Sequence, residues 1–221
     1  MNQAPNFDPL AGAYRWMEWA SFGSALWRCR CHFLSDLRGC RRALVLGDGD
    51  GRFTARLLET NTEIQVDAVD TSAAMLRVLV KRAGGNRERV QTYCGDARLW
   101  EPEGEDYDLV VSHFFLDCLT TEEIGTLAHR LRPHLAPRAL WLNSEFAIAE
   151  NWFGRWVAQP VVSGLYLAFG ELTGLGVRRL PEYAKAISEE GFTLGPKRTF
   201  LGGLLVTEVW LGGAGQLLHS C

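Results

Sequence analysis

The sequence predicts an α/β fold: a seven-stranded, mostly parallel sheet with helices on both faces and an antiparallel hairpin at its end. Three observations predict it. Short apolar runs recur between residues 42 and 143, spaced widely enough to hold a helix between each pair. A glycine-rich turn follows the first run, and two further β-like runs close the chain with only "LGG" between them.

The elements follow in order. Residues 8–38 carry helix-like periodicity with aromatics at Tyr14, Trp16, Trp19, Phe22, Trp27 and Phe33, divided near Ser21 to Ser24. They predict two short helices forming an N-terminal cap over 1–39. The runs Arg42 to Leu46, Ile64 to Val69, Val90 to Cys94, Leu109 to His113 and Ala139 to Asn143 predict strands buried on both faces. Between them, Phe53 to Leu58, Ser72 to Arg82 with Thr71 as N-cap, and Thr121 to Leu131 ahead of Pro133 predict helices. The alternation then stops. The aromatic segment 146–180 fits no unit of the series, and its place after the fifth strand favours a cover over the substrate pocket rather than plain core. "PEYAKAISEEGF" predicts a helix with Pro181 in its first turn and Gly191 at its end. Thr193 to Phe200 and Leu204 to Leu211 are the closing strands.

Length and composition bound the function. With 221 residues, 47% hydrophobic and 22% charged, the chain suits a single domain, its core at 40–145 and its closing helix and strands at 181–221. A formal charge of -3, with no long run of like charge, speaks against nucleic-acid partners. The six cysteines form no paired framework and the start lacks a secretory pattern, so a cytoplasmic setting is expected. Cys29 and Cys31, one residue apart and without a second pair, fall short of a zinc site, and no metal is expected. The longest apolar stretch is interrupted by Gln159, Pro160 and Ser163, too short for a spanning helix. Eight tryptophans and eleven phenylalanines nonetheless suggest an apolar pocket or peripheral contact with a membrane surface. Monomer and homodimer both stand as oligomeric states.

The loop "GDGDG" sits where ligands bind in an open parallel sheet, at the carboxyl end of a strand. Gly47, Gly49 and Gly51 let backbone amides approach a ligand and permit positive φ. The dinucleotide pattern G-x-G-x-x-G fails, because the sixth position is Arg52 counted from Gly47 and Thr54 counted from Gly49. No GxxxxGK[ST] loop is present, and Asp48 and Asp50 would repel a pyrophosphate. Asp70 ends the next strand, nineteen residues beyond Gly51, where a carboxylate can accept both hydroxyls of a ribose; a helix N-terminal acid is the alternative. Asp96 follows the third strand and is placed to accept from an exocyclic amino group, unless it is a turn residue. Three strand ends thus point at one adenosine.

Through "LVLGDGDGR", "VDAVDTSAAML", "CGDA" and "YDLVVSHFFLDCL", in that order, residues 40–145 resemble the class I S-adenosylmethionine-dependent methyltransferases. The resemblance implies a Rossmann-like sheet and S-adenosyl-L-methionine as cofactor. It places Gly47, Gly49 and Gly51 on the methionine and ribose part, Asp70 with Thr71 at the ribose, Asp96 and Ala97 at the adenine, and His113 at the end of the fourth strand. Asp48 departs from the family's usual small residue or cysteine after the first glycine, and bears on how the methionyl ammonium is held. The outer segments look like those of the ubiquinone and menaquinone biosynthesis methyltransferases. Those enzymes commonly carry an Arg-Asn pair after the fourth strand, where this chain has "HFFLDCL".

Methyl transfer from a sulfonium needs alignment and exclusion of water more than covalent catalysis. His113 is the candidate general base for a phenolic or similar acceptor, with Asp117 orienting it or accepting the proton itself. Phe114 and Phe115 would wall the acceptor, though an aromatic pair is commonly core, as a strand-end histidine is commonly structural. Tyr14 and Arg28 would close over the site from the N-terminal helices, Arg28 facing a carboxylate. The expected activity is methylation of a small apolar or aromatic acceptor such as a quinol or phenol. The alternative is a cofactor-binding protein of the same fold that transfers no methyl group, or that uses the cofactor for another reaction.

Overall fold

The parallel strands form where β-branched and leucine side chains run uninterrupted, because both of their faces are covered by helices. In the computed structural model, which describes residues 24–147 and 181–213, the strands are β1 (Arg42–Leu46), β2 (Gln65–Asp70), β3 (Val90–Cys94), β4 (Tyr107–His113), β5 (Leu135–Phe146), β6 (Thr193–Phe200) and β7 (Leu205–Leu211). They make one sheet of order β3-β2-β1-β4-β5-β7-β6. The first five pair in parallel, while β7 is antiparallel to both β5 and β6. The order reverses direction at β1 and β4, so the crevice at their carboxyl ends is the ligand position this topology offers.

The helices are α1 (Ala25–Arg30), α2 (Arg52–Thr60), α3 (Ala73–Ala83), α4 (Thr121–Leu131) and α5 (Tyr183–Glu189). One sheet face, with Val45, Val66, Val111, Leu142 and Val209, packs under Phe53, Leu57 and Leu79 of α2 and α3. The opposite face, with Leu44, Leu46, Val110 and Trp141, packs under Ile124, Leu127, Leu131 and Ile187 of α4 and α5. Thr120 opens α4 with a capping box, its side chain accepting from the Glu123 amide while the Glu123 carboxylate accepts from the Thr120 amide.

Three sequence expectations need correction. The N-cap of α3 is Ser72, whose hydroxyl accepts from the Met75 amide; Thr71 is exposed and precedes it. Helix α5 starts at Tyr183, two residues after Pro181, which lies ahead of the N-cap Glu182. Strand β5 extends to both sides of the predicted Ala139 to Asn143. Its start at Leu135 pairs with Tyr107 across an irregularity in register, and its end at Phe146 is held by β7. Pro137 and Arg138 hide the early part from a hydrophobicity count, and Ser144 and Glu145 hide the late part.

Asn61 ties the outer segment to this sheet. Its amide donates to the carbonyls of Leu37 (3.0 Å) and Cys40 (2.7 Å), and its Oδ1 accepts from the amides of Glu63 and Ile64. A short 3-10 segment, Leu34–Gly39, is thereby fixed against the entry to β2.

Candidate active site

The loop after β1 turns on three glycines in the left-handed region, Gly47 at φ 65°, Gly49 at φ 60° and Gly51 at φ 74°. Their surroundings differ. A Cβ on Gly51 would lie 2.7 Å from the Leu79 backbone, and one on Gly47 would lie 2.7 Å from the Phe115 ring. A Cβ on Gly49 would meet nothing within 4 Å. Gly51 therefore lets α2 and α3 pack closely, Gly47 admits the aromatic ring after β4, and Gly49 faces open space that a ligand can fill.

The carboxylates around this loop do different work. Asp70, at the end of β2, accepts from the Gly49 amide through Oδ2 (3.2 Å) and from the Ser72 amide through Oδ1 (2.8 Å). It holds the loop and caps the turn into α3. Asp48 folds under the loop and accepts from both the amide (2.9 Å) and the hydroxyl (2.7 Å) of Thr54. Burial raises its pKa to about 6 despite those bonds. Asp50 is neutralised by Arg52 and Arg82. A loop with its acids bonded inward and an open left-handed glycine at its tip fits a ligand approached by backbone.

At the third strand end, Ala97 is buried. The Asp96 carboxylate is wrapped by Arg98, which donates Nε to both oxygens (3.0 Å each) and Nη2 to Oδ2 (2.7 Å). Burial opposes ionisation of Asp96, but these bonds outweigh it and hold its pKa below the ordinary value. Arg98 is held in turn by Glu123, and Arg130 donates to the carbonyls of Ala97 and Arg98. This clamp was not legible from spacing; it uses the expected acid to fix the backbone of the turn.

His113 ends β4 in the interior, 4% exposed, with its ring edge-on to Phe53 at 4.4 Å between centroids. Its Nδ1 lies 2.8 Å from Ser144 Oγ, which donates to Thr207 Oγ1. Nδ1 is therefore the donor of the pair, leaving the lone pair on Nε2, which has no partner. Burial, and after it the charge of Arg30, holds its pKa well below the ordinary value, so the imidazole is neutral. Ser144 is thus the residue that orients His113, a role expected of Asp117. Asp117 itself lies buried in the turn after β4, next to a residue that sequence reasoning missed, Glu145.

Phe114 takes a left-handed φ of 53°, uncommon for an aromatic residue, and its ring packs on Phe146 and under the Arg30 guanidinium at 5.1 Å. Phe115 packs on Gly47. Both therefore line the carboxyl ends of β1, β4 and β5. Arg28 is exposed on α1, and Arg30, two residues on, is the buried cation that faces Asp48 and His113. Tyr14 and residues 148–180 of the predicted cover lie outside the described residues. Among the described residues no group of three or more His, Cys, Asp or Glu could hold a metal ion, and no helix is long and apolar enough to cross a membrane.

Comparison with known proteins bears on this geometry. Residues 43–138, from inside β1 to inside β5, match a family model described as a methyltransferase domain. This stretch is similar to a methyltransferase domain. S-adenosyl-L-methionine is the methyl donor of such domains, and the open glycine tip with Asp70 beside it suits that nucleoside. The fold is similar to that of mitomycin 7-O-methyltransferase (TM-score 0.68, 17% identity, covering 93% of this chain and 58% of that one). It is also similar to the S-adenosylmethionine-dependent methyltransferase SibL (TM-score 0.68, 19% identity, 96% and 63%). A third similar structure is the [4+2]-cyclase SpnF (TM-score 0.58, 17% identity, 78% and 60%). The chain spans about three fifths of the length of these proteins. No curated protein matches the sequence. The likeness establishes a Rossmann-like fold.

Proposed function

We propose that the protein is an S-adenosyl-L-methionine-dependent methyltransferase of a small apolar or aromatic acceptor, a phenol or quinol. The observation that carries this reading is the Gly49 tip, left-handed and facing open space, with Asp70 bonded to its amide at the neighbouring strand end. In this reading the Gly49 tip receives the methionyl part within a loop shaped by Gly47 and Gly51, Asp70 with Thr71 the ribose, and Asp96 and Ala97 the adenine side. Asp48 acts through the loop it braces. Phe114 and Phe115 wall the acceptor, and His113 or Asp117 takes its proton. The bound cofactor supplies an activated methyl group. The chain's own part is to hold the acceptor in line and keep water away, for which the buried aromatic wall is suited. Tyr14, Arg28 and the segment 146–180 would close the site, in a cytoplasmic monomer or homodimer able to touch a membrane surface.

A second reading is use of the cofactor without methyl transfer. The low basicity of His113 favours it, and one similar fold belongs to a [4+2]-cyclase. Incubating the protein with S-adenosyl-L-methionine and a panel of phenols, quinols and thiols separates the two. Acceptor-dependent formation of S-adenosylhomocysteine is expected; binding of the cofactor with no turnover on any acceptor would favour the second reading.

A further inference from the structure

The face of the sheet under α5 carries a set of buried polar atoms that the site described above leaves unused. Glu145, near the end of β5, is fully buried. Its Oε1 accepts from the amides of Phe115 (3.3 Å) and Leu116 (2.9 Å), while its Oε2 has no partner. Glu208 on β7, 2% exposed, bonds Lys197 through Oε1 and is also engaged by the Tyr183 hydroxyl. It pairs directly with Asn143, two residues before Glu145, so side-chain alternation places all three on one face. His113 and Ser144 lie on the other face.

The groups that bear on Glu145 are Asp117 and Cys118 from the turn after β4, Cys29 from α1 and Tyr183 from α5. All are acids. Among the described residues, the ammonium that reaches this face belongs to Lys197, and Glu208 takes it. Burial, and then Asp117, keeps the Glu145 carboxyl protonated well above the ordinary range. Buried acceptors without partners are costly, and so are buried charges without counterions. A cation with N–H donors relieves both.

Resting on the methyltransferase reading, we propose that Glu145 anchors a methyl acceptor bearing a protonated amine, which its unpartnered Oε2 receives near Phe115. The ammonium is a handle for recognition. Being protonated, it has no lone pair to attack the methyl group, so the accepting atom lies elsewhere on the acceptor. The ammonium displaces the proton that Glu145 holds when the site is free, and that proton leaves to solvent.

The test uses protein saturated with S-adenosylhomocysteine and titrates it with benzylamine, benzyl alcohol and benzoate in two buffers of different ionisation enthalpy. Benzylamine is expected to bind more tightly than either analogue and to release about one proton per site. Glu145→Gln should weaken benzylamine at least tenfold and abolish the release, with the affinity for S-adenosylhomocysteine unchanged. Asp117→Asn, a near-isosteric change in the turn after β4, gives a second reading should the first variant not fold. With less repulsion on Glu145, it should reduce the proton release. Equal binding of benzoate, benzylamine binding indifferent to both variants, or no binding of benzylamine to the loaded protein would overturn the proposal. Failure of S-adenosylhomocysteine to bind the wild type would instead count against the methyltransferase reading.

Discussion

Alanine at Gly51 and at Gly49 should separate the glycine that serves packing from the glycine that serves the ligand. At Gly51 the substitution combines a left-handed residue, costing about 1 to 2 kcal/mol, with an overpacked contact costing about 1 to 3 kcal/mol. The clash is with Leu79, whose Cα would be 2.7 Å away and cannot swing aside as a side-chain end can. The sum is about 3 kcal/mol, which for a domain of this size lowers Tm by roughly 6 to 12 °C. At Gly49 only the backbone term applies, about 1 kcal/mol, or roughly 2 to 4 °C. The new methyl group there points into the space assigned to the cofactor, so binding of S-adenosyl-L-methionine should weaken by at least about tenfold, 1.4 kcal/mol. Thermal unfolding and calorimetric titration of both variants read these quantities. Gly49→Ala with unchanged affinity, or Gly51→Ala with unchanged Tm, would refute the division of roles.

Other outcomes follow from individual contacts. Asp48 has a folded pKa raised to about 6, so the native state holds its proton more tightly than the unfolded chain, and stability should fall as pH rises from about 4 to 6. Asp48→Asn should flatten that part of a stability-against-pH profile; an unchanged slope would exclude Asp48 as its source. Asn61→Ala removes four hydrogen bonds, three of them buried, and should cost about 3 kcal/mol or more in denaturant unfolding. Arg98→Ala releases both Asp96 and Glu123, and should weaken cofactor binding through the adenine-side turn while leaving the buried core packed. A cofactor affinity equal to wild type would place that clamp outside the site.

Much of the architecture was legible because its signals are local. The boundaries of β1, β3 and α4 follow directly from apolar runs and caps, and the glycine loop declares its backbone need by composition. The polar ends of β4 and β5 were harder to read. A glutamate in a strand ordinarily means solvent, yet Glu145 and Glu208 are buried by α5 and by the turn after β4, contacts made by residues distant in sequence. The same reason explains Arg30 in place of Arg28: the helix phase of a six-residue segment is set by what it packs on, and its sequence alone leaves both arginines eligible. Asp96 was recognisable as a turn acid, but its engagement by Arg98 depends on Glu123 lying across on α4.

The most direct test of the account is calorimetric titration with S-adenosyl-L-methionine, comparing the wild type with Asp70→Ala shown to be folded by circular dichroism. Micromolar binding to the wild type that falls at least about tenfold in the variant is the predicted result, since Asp70 holds the Gly49 amide and, in the proposed function, receives the ribose. Absence of binding to the folded wild type, or equal affinity in both proteins, would contradict the placement of the cofactor at this loop.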